Sequence, residues 1–481
     1  MLWWRWSSAR AGFAGLLIAI VVAVARFGLT WEVFWVSQVR ALMLAFFVLY
    51  IIWLGLITYS LVRAVGGINF VGGWLSARVG DRTAVGLLLA WVLSSMLEGI
   101  AGLGVPLAVV SPMLVAIGFD PVTAVAAVAI GHAWSVTFGD MGVVFEALVS
   151  VVRLEAASIV PAAAVILGFA CIACGAATAI VLGLRNRWGH VVAAGAVMAI
   201  VQGLLAVVGL RPLAALGASV VGLGAGVWLF GGMGRHEQDG SGSGMLLLLP
   251  YLVTTALLSL VTFLPGLARM LMSPATRIML PEVATRVGWV TPAGEAKAII
   301  WLTHPGTAML LAILVSLPIY VRRLSFNQQI GGQAFRSAAS IGVPVTLGVG
   351  AMVSLAMVMD HSGMTQELAV AISKAVGPTY PLLSGFIGML GAFTTGSNTN
   401  SNVLFGPLQL QMSHLLNLNG VWLLAAQTAG GALGSMVAPA KLVVGCAMVG
   451  LAGQDGRVLR RTVPYGLLIA LVAGAIAWLL A

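Results

Sequence analysis

Polar chemistry in this chain is confined to a few short stretches set between apolar runs. The densest is Gly391 to Gln409, where Thr394 to Asn402 carries eight hydroxyl or amide side chains around one glycine, Gly396. A second stretch, Glu98-Gly99-Ile100-Ala101-Gly102-Leu103-Gly104-Val105-Pro106, follows an acid with three glycines and a proline. Two more are His132 to Asp140 and Gln427-Thr428-Ala429-Gly430-Gly431, with Lys441 ten residues further on. Such sequence interrupts a helix, and broken backbone inside lipid survives only where it lines a protein cavity. The amide-rich start of each following half-helix attracts anions. Short hydroxyls and amides add neutral donors and acceptors that hold a carboxylate, a cation or both.

The candidate binding residues are therefore Gly396, Ser397, Asn398, Thr399, Ser401 and Asn402. Gly102 and Gly104 would allow close backbone approach, and Gln427 and Thr428 would join from the last break. The alternative is a kinked helix whose polar groups satisfy one another. Ionisable residues within apolar spans are expensive and usually functional. Glu98 is the leading proton carrier, with His132 and Asp140 next and Glu146 beside them. Lys441 would pair with a bound carboxylate or with one of these acids, or else extend to water.

The elements that must hold these residues are membrane helices. Of 481 residues, 60% are hydrophobic and 8% charged, with a mean hydropathy of +1.06. That composition excludes an ordinary soluble domain and implies an all-α polytopic membrane protein of about 11–14 helices. The net charge of +10 reflects arginines in short loops, Arg63, Arg78, Arg82, Arg187, Arg235, Arg322, Arg457 and Arg461 among them. Their bias towards one side makes that side, and the N-terminus, cytoplasmic rather than implying a nucleic-acid partner. Cys171 and Cys174 sit in an apolar run without a second ligand pair and read as packing, so neither a metal nor another cofactor is expected.

In chain order, Ala11–Leu29 and Ala41–Val62 read as spans, and Thr83–Leu97 as an apolar piece too short to cross alone. The breaks at 98–106 and 131–140 suggest a re-entrant hairpin and a broken helix near 83–150. Gly231 to Gly244 is the one soluble-looking linker, placing a cytoplasmic boundary between a first half, 1–230, and a second, 245–481. Pro265–Lys297 reads as an external loop or amphipathic helix. A second hairpin and broken helix fall near 379–453. Thr395 to Thr428 spans 33 positions and Glu98 to His132 spans 34, each enclosing one turn, Gly118–Pro121 or Leu416–Gly420. Paired discontinuous elements in two halves point to a transporter with inverted repeats.

Over nearly its whole length the chain resembles the L-lactate permease family. Glu98 to Pro106 is similar to the family's E-G-x-x-G-x-G-x-P signature, and Gly391 to Gln409 to its G-x-F-x-T-G-S-x-T-x-S-N-x-L-F-x-x-L-Q segment. Ser362-Gly363-Met364 falls where the family has S-G-M, and Ala447 to Gly453 resembles its A-x-V-G-L-x-G stretch. Two departures stand out. His132 to Gly139 replaces an N-x-A-P-V-A-F-G type of sequence. Gly434 to Lys441 replaces G-K-M-x-S-P-Q-S, its lysine six positions later. The resemblance implies a bacterial inner-membrane permease importing lactate, and often glycolate, with protons, and commonly dimeric. Sodium coupling, or another carboxylate or a sulfonate as substrate, stays open at this point, as does a channel or sensor. An intramembrane aspartyl protease is disfavoured, since Thr137 stands where its motif wants glycine. No nucleotide-binding loop supports a primary pump.

Overall fold

The apolar runs fold as helices in a computed structural model that describes residues 8–102, 104–184, 186–231, 241–324, 326–452 and 454–481. Most of the 231–244 linker, Arg185, Arg235 and Leu103 lie outside the described residues. The chain opens with α1 (Ser8–Arg26), α2 (Trp31–Ala64) and the short α3 (Gly67–Ser76). α4 (Arg82–Leu87) continues through a π-helical turn, Leu88–Leu93, into α5 (Ser94–Ala101), and α6 (Val105–Ala116) leaves the break at Gly102. α7 (Pro121–His132) passes into a 3-10 segment, Ala133–Phe138, and resumes after Gly139 as α8 (Val143–Val152). Next come α9 (Ala156–Leu182), α10 (Trp188–Val207), α11 (Ala214–Phe230), α12 (Ser241–Leu247), α13 (Leu249–Phe263) and α14 (Pro265–Met270). After an extended segment follow α15 (Pro305–Arg323), α16 (Gln328–Ser362) and α17 (Met364–Val376). The chain closes with α18 (Pro381–Thr395), α19 (Asn398–Leu416), α20 (Gly420–Gly434), α21 (Pro439–Met448) and α22 (Asp455–Leu480).

Among the described residues eleven helices are long and apolar enough to cross a membrane. The protein is thus an all-α multi-pass membrane protein. Leu17, Ile18, Val21 and Val24 of α1 stay exposed, as side chains facing lipid do, whereas every residue of the most apolar stretch of Arg82–Ala101 is buried. That difference puts α4–α5 in the interior. Its helix is also longer than Thr83–Leu97, because the π turn carries it to the Gly102 break without a stop. α2 begins at Trp31 rather than near Ala41, capped by the Thr30 hydroxyl accepting from the Val33 amide at 3.3 Å. Pro265–Lys297 forms α14 and then a nested antiparallel hairpin, with Ala275–Thr276 on Ile299–Ile300, Met279–Leu280 on Gly294–Glu295 and Val283–Ala284 on Val290–Thr291.

The repeat is visible in the elements even though the letters do not align. The series from α2 to α9 recurs from α16 to α22 in the same order. Trp31 to Gln328 is 297 positions, Val105 to Asn398 is 293, and Ala156 to Asp455 is 299. Local geometry recurs with it: Gly66 and Gly363, before α3 and α17, both have φ 85°. Asp120 caps α7 by accepting from the Val122 amide at 3.1 Å, and Asn419 caps α20 by accepting from Val421 at 3.1 Å. The two series run in opposite senses. α2 and α16 pack antiparallel, since the Trp53 indole donates to Thr346 at 3.0 Å while Arg40, earlier in α2, shares a cavity with Met357, later in α16. Two glycines at the same repeat position let inner helices cross closely. A methyl at Gly131 in α7 would run into the Ala90 carbonyl, and one at Gly430 in α20 into the Gly385 carbonyl.

Candidate functional site

Four helix starts meet in the interior, because each hairpin packs on the broken helix of the other series: α6 against α21, and α19 against α8. Each start follows a break with its own backbone reason. Gly104 and Gly142 are left-handed at φ 88° and 79°, and Gly396 at 75° precedes the Ser397 cap of α19. Ala438 delivers α21 through Pro439. The partial positive charge of these starts sits in a water-poor interior, where it favours an anion.

Beside them lies a buried ionisable cluster. Lys441 Nζ, in the first turn of α21, donates to Glu98 Oε1 of α5 at 3.3 Å, joining residues 343 positions apart. A cation at a helix start is unfavourable by itself, and Glu98 offsets it. His132 Nδ1 donates to the Val128 carbonyl at 2.6 Å, which leaves Nε2 facing Glu98 Oε2 at 4.0 Å. Neither Nε2 nor Oε2 has a hydrogen-bond partner among the described residues. Two buried acceptors pointed at each other make a place for a proton. Asp140 completes the group. It and Met141 are left-handed at φ 46° and 53°, a strained pair before Gly142. The Asp140 carboxylate lies against Gly102, where a Cβ would lie 2.6 Å from Oδ2. Gly102 is thus closely approached by one of the protein's own side chains, that of Asp140. Gly104 differs, since a Cβ there meets nothing within 4 Å and its left-handed backbone alone calls for glycine.

The polar motif of α19 forms a second group. Asn398 Nδ2 donates to the Thr428 carbonyl at 3.0 Å and to Thr137 Oγ1 at 3.4 Å. Asn402 Nδ2 donates to Thr428 Oγ1 at 2.8 Å and to the Val144 carbonyl at 3.2 Å. The side-chain oxygens of Asn398, Asn400 and Asn402 are buried without partners among the described residues. Ser401 and Gln427 belong elsewhere. Ser401 donates to the Gly388 carbonyl at 2.8 Å, and Gln427 bridges Ser401 Oγ at 3.1 Å and Gln409 at 2.9 Å. This network ties α18, α19 and α20 together, and with it Ser401 and Gln427 sit among partners rather than at the ionisable cluster. Ser397 caps α19, accepting from Asn400 at 3.4 Å, and Thr399 is buried in the first turn. Glu146 is not in the cluster. It accepts from Arg211 at 2.8 Å, with Lys297 4.0 Å away.

Thr137 joins the α19 group by donating to the Thr428 carbonyl at 2.9 Å, and is legible in the sequence only as part of a polar break. Gln409 and Gly431, which makes room for the Asn398 amide, carried no signal beyond their place in the motifs. Cys171 and Cys174 are buried and unpaired, as packing residues are.

Comparison with known proteins settles the class of molecule. The family model described as L-lactate permease matches residues 1–481. The chain belongs to the L-lactate permease family. It is 27% identical to the glycolate permease GlcA of Escherichia coli strain K12 over 98% of this chain and 91% of that protein. It is 27% identical to the L-lactate permease of Streptococcus iniae over 87% of this chain and 89% of that protein. With the L-lactate permease of Bacillus subtilis strain 168 it shares 26% identity over 99% and 92%. Among solved structures, the Alcanivorax borkumensis YdaH transporter aligns over 98% of both chains with 12% identity and a TM-score of 0.46. Membership makes the chain a transmembrane permease of the plasma membrane, not an enzyme.

Proposed function

We propose that this permease imports L-lactate, or a similar small 2-hydroxymonocarboxylate such as glycolate, by proton symport, with its N-terminus in the cytoplasm. The observation that carries the reading is the cluster of buried Glu98, His132 and Lys441 with half-buried Asp140 beside the half-helix starts. With both acids ionised and His132 neutral, two carboxylates face one ammonium. An arriving carboxylate would add another negative charge where charge is poorly screened. A proton entering with it, held between Glu98 and His132, keeps the count level, and that is the logic of symport. Asn398 and Thr428 would hold the substrate's hydroxyl end, and Lys441 and the helix starts its carboxylate. The names of the permeases above support lactate and glycolate as the substrates to test. Arg63, Arg78, Arg82 and Arg461 share one side of the chain's alternation, which supports a cytoplasmic N-terminus.

Counterflow tests the substrate without any driving force. Vesicles loaded with unlabelled L-lactate should draw in labelled L-lactate transiently, and internal glycolate should do the same. Failure with both, and success with another anion, would move the substrate. Asn402→Ala should reduce exchange roughly tenfold, since a lost hydrogen bond in a buried network costs about 1–3 kcal/mol, with membrane expression intact. Unchanged exchange would remove α19 from the site. Sodium coupling is the second reading, favoured by the unpartnered oxygens of Asn398, Asn400 and Asn402. It requires transport to fall when sodium is replaced by choline.

A further inference from the structure

A second concentration of cations lies away from the Glu98 cluster, under the extended hairpin of 275–300. A cavity of about 200 Å³ is lined by Arg40, Arg153, Lys297 and Ser150, with one acid, Glu295, on its wall. Arg40 projects from α2 and is only 5% exposed. One guanidinium nitrogen donates to the Pro292 carbonyl at 3.2 Å, while its Nε is buried without a partner among the described residues. No carboxylate among the described residues comes within ion-pairing distance of Arg40 or Arg153. The nearby acids are engaged elsewhere or stand back. Glu295, on the cavity wall, pairs with Arg277 at 3.3 Å, and Asp360 faces Arg40 and Arg153 from beyond ion-pairing distance. Lys297 rests over the Phe47 ring at 4.4 Å with Glu146 4.0 Å away. Burial, countered in part by Glu146, holds its ammonium below the usual lysine range.

We propose that this cavity is an outer capture site for a small carboxylate anion, bound by Arg40, Arg153 and Lys297 before it reaches the central cluster. The proposal rests on the carboxylate reading above and extends it to a site of its own. Two guanidinium groups without a carboxylate in ion-pairing distance, Arg40 buried and Arg153 exposed at the mouth, suit a carboxylate, which such groups bind through paired charge-assisted hydrogen bonds. Ser150 Oγ donates to the Glu146 carbonyl at 2.5 Å and keeps lone pairs for a substrate hydroxyl. A second cavity, of about 310 Å³, adjoins the first through Lys297 and is lined also by Glu146, Arg211 and Pro212. Pro212 in turn packs on Gly142, two residues from Asp140. A cationic funnel of this kind raises local anion concentration and association rate, and salt weakens it.

The test is equilibrium binding of labelled L-lactate to the purified full-length protein at low ionic strength, beside uptake in vesicles. The variants are Lys441→Gln, Arg153→Gln with Lys297→Gln, and Lys297→Arg. The site predicts binding that survives Lys441→Gln, weakens at least fivefold in the Arg153→Gln/Lys297→Gln pair, and is kept by Lys297→Arg. The pair should also raise the uptake KM at least fivefold, with Vmax within about twofold and a flatter salt dependence. Binding and salt dependence unchanged in the pair, or no binding by the wild type, would overturn the capture site. Wild-type uptake that persists beside unchanged binding in the pair would sink the outer site alone. Binding lost in the pair without any wild-type uptake would keep the site and sink the import reading.

Discussion

Glu98→Gln is expected to abolish proton-driven accumulation, with uptake falling roughly 100-fold or more. The change leaves Lys441 buried without its counter-charge, and removing one partner of a buried pair costs about 3–5 kcal/mol. It also removes the carboxylate on which the proton would sit, since an amide does not titrate. The two losses separate in a double variant. Glu98→Gln with Lys441→Met takes out both charges, so the thermal stability lost in Glu98→Gln should return while accumulation does not. A double variant that recovered accumulation would mean the pair holds the fold and does nothing for coupling. Stability and uptake both unchanged in Glu98→Gln alone would remove the cluster from the mechanism.

Gly430→Val should yield almost no monodisperse protein in detergent, and Gly131→Val should do the same. Each added side chain meets a backbone carbonyl on the neighbouring helix, Gly385 or Ala90. Backbone in a packed crossing has nowhere to go. Overpacking a core typically costs about 1–3 kcal/mol, and a clash with backbone belongs at or beyond the upper end of that range. Gly224→Ala is the control, because a methyl there meets nothing within 4 Å. Fluorescence-detected size exclusion distinguishes the three. Equal losses at Gly131 and Gly430 would also show that the two repeats depend on the same crossing. Normal yields for both valine variants would contradict the tight crossings described for α7 and α20.

Much of this was legible in the residues, and the reasons are local. Glycine, proline and clustered hydroxyls interrupt a helix whatever surrounds them, so the breaks at Gly102, Gly139 and Gly396 could be read directly. The spacing of 33 and 34 between polar breaks followed from hairpins of similar length. What could not be read depended on partners far away in sequence. Glu98 meets Lys441 across 343 positions, and nothing near either residue encodes that choice. Ser401 stands three residues from Asn398, about 60° round the helix, and that offset aims it at Gly388 and Gln427 instead. Thr83–Leu97 is too short to span alone, but the helix, carried through its π turn, runs on past the buried Glu98 to Ala101. Arg40 carries no signal in the sequence, because its surroundings come from the hairpin that folds over it.

Proteoliposomes exposed to an inward proton gradient, in sodium-free buffer and with labelled L-lactate outside, test the central claim most directly. Lactate should accumulate above its external concentration, then drain as the gradient decays, and a protonophore should prevent the accumulation. Entry that only equilibrates, with or without the gradient, would contradict proton symport and leave a passive pathway in its place.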